Sequence, residues 1–202
     1  GQSLLALGRL EEAEYHLREA MTRDPRSPGT HYNFGNLRLR QGDTQAAVQA
    51  YRQALALNGN FPDAHNVLGC LLAARGQPDE AIVHFQHALR LRPDSAEALG
   101  NLGNVLTEKN RAAEALPLLS KAVSLNPNQA EAHYNLGNAY LALGRRQEAL
   151  VTYQTVVSLT PEHAWAHYRL GNLLLADRNP DAAIAHYRAA LAANTNHAEA
   201  HY

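Results

Sequence analysis

Apolar residues recur three or four positions apart along this chain, in stretches about a dozen residues long that end at glycine or precede proline. In AEAHYNLGNAYLALG, residues 130–144, Leu136, Tyr140 and Leu143 fall on one side of a 3.6-residue period, which predicts an amphipathic helix. Gly144 suits the position just past its C-terminus, where a left-handed backbone costs glycine nothing. A second helix is predicted from Arg146 to Leu159, with Ala149, Leu150, Tyr153, Val156 and Val157 turned inward. Pro161 then bars its continuation.

This helical pair is one copy of a unit that fills the chain. Gly1, Gly35, Gly69, Gly103, Gly137 and Gly171 stand 34 residues apart, and Ala13, Ala47, Ala81, Ala115, Ala149 and Ala183 keep the same interval. Pro25, Pro93, Pro127 and Pro161 form a third series, with Gly59 and Thr195 in its other slots. Gly8, Gly42, Gly76 and Gly144 form a fourth, completed by Asn110 and Arg178. Four series in mutual phase define a repeat protein, in which each hairpin buries too little alone and is stabilised by stacking on its neighbours.

The small residues suggest where helices approach closely. Gly137 and Ala149 are the expected contact pair, as are Gly103 and Ala115, with Tyr51, Phe85, Leu119, Tyr153 and Tyr187 filling wider spaces between units. Composition then removes several function classes. The chain has 202 residues, 18 basic against 19 acidic, and its longest basic run is Arg145-Arg146. A duplex-binding protein needs a basic stripe that is missing here, so nucleic acid is not an expected partner. One cysteine, Cys70, excludes an intrachain disulfide. It fits a reducing compartment and favours the cytoplasm, although a cysteine-poor periplasmic protein would look the same. No apolar run is long enough to span a bilayer, so direct membrane insertion is not expected, and Gly1-Gln2-Ser3 does not begin a signal peptide.

Catalytic and metal chemistry find no purchase, and neither an enzyme activity nor a cofactor is expected of these residues. His31, His65, His133, His167 and His201 recur in repeat phase, with Leu99 breaking the series. Equivalent positions in stacked units lie too far apart to share a zinc ion, and His84 with His87 offers only two ligands. Glu80, Glu114 and Glu148 sit early in the second helices, where exposed backbone donors favour a carboxylate. No ordered Ser/His/Asp set, phosphate loop or dinucleotide fingerprint is present, and Cys70 has no activating base beside it.

The pattern NLG…Y…G…EAL…Y…A…P resembles the tetratricopeptide repeat over essentially the whole chain. Five units run 28–61, 62–95, 96–129, 130–163 and 164–197, after a partial unit at 1–27 and before the start of a truncated one at 198–202. The resemblance implies an all-α fold, a right-handed superhelical solenoid of stacked antiparallel hairpins whose first helices line a concave face. It also implies a non-catalytic scaffold that binds a protein or an extended peptide. Ends that fall inside repeats suggest an excerpt of a longer array, with self-association through exposed solenoid ends as a further expectation.

Two polar rows on the first helices are the candidate binding surface. One holds Asn33, Val67, Asn101, Asn135 and Arg169; the other holds Asn36, Cys70, Asn104, Asn138 and Asn172. Asparagine is an ordinary-to-poor helix former, so propensity does not account for seven copies in these ten slots. Its amide donates and accepts, so the rows could clamp a peptide backbone, or could bond within and between repeats. The NLGN helices resemble the asparagine-rich superhelix of O-linked N-acetylglucosamine transferases, in which asparagines hold the peptide backbone. Asn33, Asn101 and Asn135 best match that ladder, while Val67 and Arg169 depart from it. No glycosyltransferase domain is present in these residues, so that resemblance implies substrate presentation at most.

A second resemblance is to the carboxylate clamp of chaperone-binding members. Asn104, Asn135 and Arg169 match three of its five positions, but Gly100 and Trp165 replace its two lysines. Without those cations much of the charge-assisted binding is lost. Asp63, Glu97, Glu131 and Glu199 share the phase of Gly29 and Trp165 near the start of each first helix. They favour the helix N-terminus or repel acidic ligands. Trp165 interrupts this small or acidic series and is either a hot spot for a peptide side chain or a packing residue.

Overall fold

A computed structural model describes residues 9–199, with side chains through Ala193. The expectations placed on Gly1, Gly8 and His201, and on residues 200–202 of a further repeat, lie outside the described residues.

Eleven helices and no strands occur among the described residues. They are α1 (Leu10–Arg23), α2 (Pro28–Arg40), α3 (Thr44–Leu57), α4 (Pro62–Ala74), α5 (Pro78–Leu91), α6 (Ala96–Glu108), α7 (Ala112–Leu125), α8 (Ala130–Ala142), α9 (Arg146–Leu159), α10 (Ala164–Ala176) and α11 (Pro180–Glu199). From α2 onward they pair as hairpins: α2–α3, α4–α5, α6–α7, α8–α9 and α10–α11. Two compact units result, one ending at Pro93 and the other beginning at Asp94. No described helix is long and apolar enough to cross a membrane.

Each hairpin turns by the same hydrogen-bonded device. After α8, the Gly144 N–H donates to Leu141 and the Arg145 N–H to Tyr140, two bonds that close a Schellman motif. The same pair of bonds follows α2, α4, α6 and α10. The residue at its centre must take positive φ: Gly144 has +73°, Asn110 has 60° and Arg178 has 59°. Asparagine tolerates this region, whereas arginine occupies it at a steric cost. Leu143, expected to face inward, is 38 % exposed because it is the C-cap of α8 rather than part of its apolar face.

The atoms nearest a Cβ built on each hairpin glycine belong to a bulky residue of the second helix. A Cβ built on Gly137 would lie 2.7 Å from Cε1 of Tyr153, while one on Gly103 would lie 2.5 Å from Cγ of Leu119. Gly35, Gly69 and Gly171 stand in the same way against Tyr51, Phe85 and Tyr187. Ala149, the expected partner of Gly137, clusters with Tyr153, Leu170 and Leu173, which ties α9 to the next hairpin. A large ring on the second helix spans the gap only if its counterpart has no side chain.

The last helix runs longer than its counterparts. Positions in phase with the ends of α3, α5, α7 and α9 fall at Ala193, yet α11 continues to Glu199. Thr195 stands in the slot of Pro127 and Pro161, and threonine leaves the backbone N–H and the helical φ available where proline does not.

Candidate functional site

The second unit contains a groove of about 640 Å³ walled by three successive first helices. α6 supplies Asn104 and Glu108, α8 supplies Glu131, Tyr134, Asn135 and Asn138, and α10 supplies Trp165 and Arg169. Five residues marked in the sequence thus meet in one place: Asn104, Asn135, Asn138, Trp165 and Arg169. Asn101 on α6 and Asn172 on α10 belong to the same unit but do not line the groove. Asn33 and Asn36 lie on α2, in the first unit.

The two asparagine rows differ in what they do inside the fold. In the second row the amide oxygens of Asn36, Asn138 and Asn172 accept hydrogen bonds from the hydroxyls of Tyr51, Tyr153 and Tyr187, at 2.6, 2.7 and 2.7 Å. Each pair joins the two helices of one hairpin, beside the glycine that admits the ring. Where the residue in phase with the tyrosines lacks a hydroxyl the pairing fails. Phe85 stands in phase with Cys70, and Leu119 with Asn104, whose amide donates instead to Glu108 at 3.0 Å.

Asn135 of the first row is different. It is 8 % exposed, and its side-chain amide has no hydrogen-bond partner among the described residues. Its amide opens on the groove, where a ligand or water can meet both its donor and its acceptor. The Nε of Arg169, by contrast, is shut off from solvent without a partner. Arg169 bears on Tyr153 electrostatically: burial pushes the tyrosine hydroxyl up, and the nearby guanidinium offsets part of that rise. Asn33 and Asn101 are engaged in interactions within the fold.

This difference predicts unequal stability effects three residues apart. Asn138→Ala strands the hydroxyl of a fully buried tyrosine and should cost about 1–2 kcal/mol, after the better helix propensity of alanine is allowed for. Asn135→Ala breaks no internal bond and should melt within about 0.5 kcal/mol of the wild type. Equal losses in urea titrations of the two variants would contradict the assignment.

The groove carries both signs of charge. Glu108 and Glu131 face it with Arg169, and His163 Nε2 lies 3.6 Å from Glu131 Oε2. His163 also caps α10 by accepting from the Ala166 N–H, and its ring packs on Tyr134 with centroids 4.9 Å apart. Trp165 is 66 % exposed, edge-on to Tyr168. It borders a second, apolar groove of about 310 Å³ formed with Tyr168, Tyr187 and Leu191.

The periodic histidines tie first helices to the turns that precede them. Nε2 of His31, His65, His133 and His167 lies 2.8–3.1 Å from the carbonyl oxygens of Pro25, Gly59, Pro127 and Pro161. Each contact spans six residues and satisfies a carbonyl that leaves the preceding helix, a role the repeat phase already encoded. His84 and His87 do not converge on an ion position: Nδ1 of His84 meets Nδ1 of His65, and His87 stacks on His65. Among the described residues no group of three or more His, Cys, Asp or Glu side chains could hold a metal ion.

An all-α stack of repeated hairpins with internally lined grooves defines the class, a helical solenoid. Family profiles place the chain within that class. The middle TPR-like domain of cilia and flagella-associated protein 70 matches residues 4–115, more than half the chain. A TPR repeat profile matches 103–144 and a tetratricopeptide repeat profile 134–198. The chain belongs to the tetratricopeptide repeat family.

Solved structures agree. MamA from Desulfovibrio magneticus RS-1, residue 41 to its end, superposes with a TM-score of 0.74 at 26 % identity, covering 84 % of this chain and 96 % of that one. YrrB, described as a TPR protein with an unusual peptide-binding site, gives 0.71 at 27 % identity over 90 % and 93 %. PilF of Pseudomonas aeruginosa shares the fold, with a TM-score of 0.79 at 23 % identity over 92 % and 85 %. No curated protein matches the sequence.

Proposed function

We propose that this chain is a non-catalytic protein-interaction scaffold whose second unit binds an extended peptide segment in the groove between α6, α8 and α10. The observation that carries this reading is the Asn135 amide, which lines the groove with no hydrogen bond inside the fold, beside Arg169, whose Nε is buried without a partner. An amide offers a donor and an acceptor together, the pattern presented by a peptide bond, so Asn135 grips the backbone and reads its path rather than its side chains. Arg169 supplies donors to a backbone carbonyl or carboxylate, and exposed Trp165 offers a flat apolar surface for a neighbouring side chain. Asn104 and the Nδ2 donor of Asn138 extend the polar floor; Asn36 and Asn172 brace hairpins, and Asn33 and Asn101 continue the row on the other first helices. The description of YrrB as having a peptide-binding site supports the reading.

Peptides selected from a random displayed library on the wild-type protein provide the test. Titrated into Asn135→Ala, they should bind about tenfold more weakly, the loss of one to two buried hydrogen bonds, while the variant melts as the wild type does. Unchanged affinity in a folded Asn135→Ala protein would reject the clamp.

A further inference from the structure

Two histidine pairs take no part in the groove, and they have the same construction. Nδ1 of His65 on α4 lies 2.9 Å from Nδ1 of His84 on α5, and Nδ1 of His167 on α10 lies 2.9 Å from Nδ1 of His186 on α11. Each pair crosses the interior of one hairpin, one in each unit. In the hairpin between α8 and α9 the same phase pairs His133 with Thr152.

The surrounding bonds assign the protons. Nε2 of His65 and of His167 each face a carbonyl oxygen, at 3.1 and 2.9 Å, and a carbonyl only accepts. Those nitrogens therefore carry hydrogen, which leaves a bare lone pair on Nδ1 in the neutral ring. The partner ring must then donate: the Nδ1–H groups of His84 and His186 point at the lone pairs of His65 and His167. One further proton can enter each pair on the outer Nε2 of His84 or His186. A second has only Nδ1 of the inner histidine left, directly opposite an N–H, and placing it there breaks the bond.

We infer that the His65–His84 and His167–His186 pairs are acid-sensitive latches, which hold their hairpins closed near neutral pH and part when both rings of a pair are protonated. The environment favours the neutral state. Burial first, then His65, holds His84 down at about 4 from its ordinary 6.5; Glu80 opposes this, while His87 and Arg52 reinforce it. His65 is lowered by burial, with His87 and Arg90 adding to the effect and the Gly59 carbonyl opposing it. His186 is lowered by burial and by His167.

The sign follows. Unfolded histidines take up protons near 6.5, whereas His65, His84 and His186 resist them in the fold, so the folded state holds fewer protons below that pH. The contribution of His84 is complete above about 6.5 and is lost progressively as pH falls toward about 4, and the lowering of His65 and His186 acts in the same direction. Because α10 also carries Trp165 and Arg169, unlatching loosens one wall of the groove. That consequence rests on the peptide reading, whereas the tests below probe the latch itself and stand without it.

Thermal melts of the wild type and of a His84→Thr/His186→Thr variant, between pH 7.0 and 5.0 with EDTA, provide the test; threonine is the residue of Thr152 in the same phase. The wild type is expected to lose melting temperature across this range, and the variant to lose measurably less. Backbone hydrogen exchange on the wild type, corrected for intrinsic rates, should accelerate at pH 5.0 in α4–α5 and α10–α11 more than in α8–α9. Parallel melting curves for wild type and variant would overturn the inference, as would a pH response that appears only without EDTA, which would indicate a bound metal. Imidazole ¹⁵N spectra of the wild type at pH 7.5 keep the test open if the variant does not fold. His84 and His186 must show the Nδ1–H tautomer and His65 and His167 the Nε2–H tautomer, and any other assignment overturns the latch.

Discussion

Truncating Tyr153 to alanine is expected to cost about 3–5 kcal/mol, the largest effect of any single substitution proposed for this chain. The ring is fully buried, packs beside Ala149, Leu170 and Leu173, and donates its hydroxyl to Asn138. Its removal leaves a cavity against Gly137, which has no side chain to fill it. It also weakens the interface between α9 and α10. In a stacked array stability is a sum of unit and nearest-neighbour terms, so loss of one interface should split the melt as well as lower it. Urea unfolding followed by circular dichroism would show an early transition for part of the helical signal. A single transition displaced by less than about 1 kcal/mol would mean that the site collapses to fill the gap.

The second large effect reverses the first. Gly137→Leu forces a side chain into a ring whose Cε1, Cδ1 and Cζ would lie 2.7, 2.9 and 3.0 Å from the new Cβ. The ring is enclosed and cannot swing away, so overpacking should cost about 1–3 kcal/mol. Better helix propensity returns only part of this, roughly 0.5–1 kcal/mol. The two substitutions occupy opposite sides of one contact, so they should not be additive. Gly137→Leu combined with Tyr153→Ala moves bulk across the interface and is expected to be more stable than the sum of the single losses. Strict additivity in that cycle would show that Gly137 and Tyr153 do not share the space.

These two residues also mark where the sequence was legible and where it was not. The 34-residue phase of Gly137, Gly144, Ala149 and Pro161 located the hairpin helices and the left-handed turn between them, because those residues answer to local backbone geometry. Which residue lies nearest Gly137 depends on how two helices are rotated about their axes, and Tyr153, expected to fill space between units, takes that place. Size complementarity held the missing clue: the large residue follows every hairpin glycine at a fixed interval.

The asparagine rows show the same limit. Both looked alike as polar positions on a helix face, yet Asn138 bonds across its hairpin and Asn135 bonds to nothing in the fold. The distinction was recoverable from the chain, since Tyr51, Tyr153 and Tyr187 each follow their asparagine by 15 residues while Phe85 follows a cysteine. The histidine pairs were encoded too, as His65–His84 and His167–His186, both 19 residues apart. Taken singly, each histidine resembles a metal ligand; only the repeated 19-residue interval shows one donor facing one acceptor.

Asn135 and its neighbours are proposed to hold a peptide by its backbone. An amide-to-ester scan along a library-selected peptide, set beside an alanine scan of its side chains, measures this most directly. Replacing the amide that meets Asn135 with an ester should weaken binding about tenfold in the wild type and have little effect in Asn135→Ala, with most alanine substitutions nearly silent. A flat ester scan with a steep alanine scan would contradict the backbone clamp and assign recognition to side-chain pockets instead.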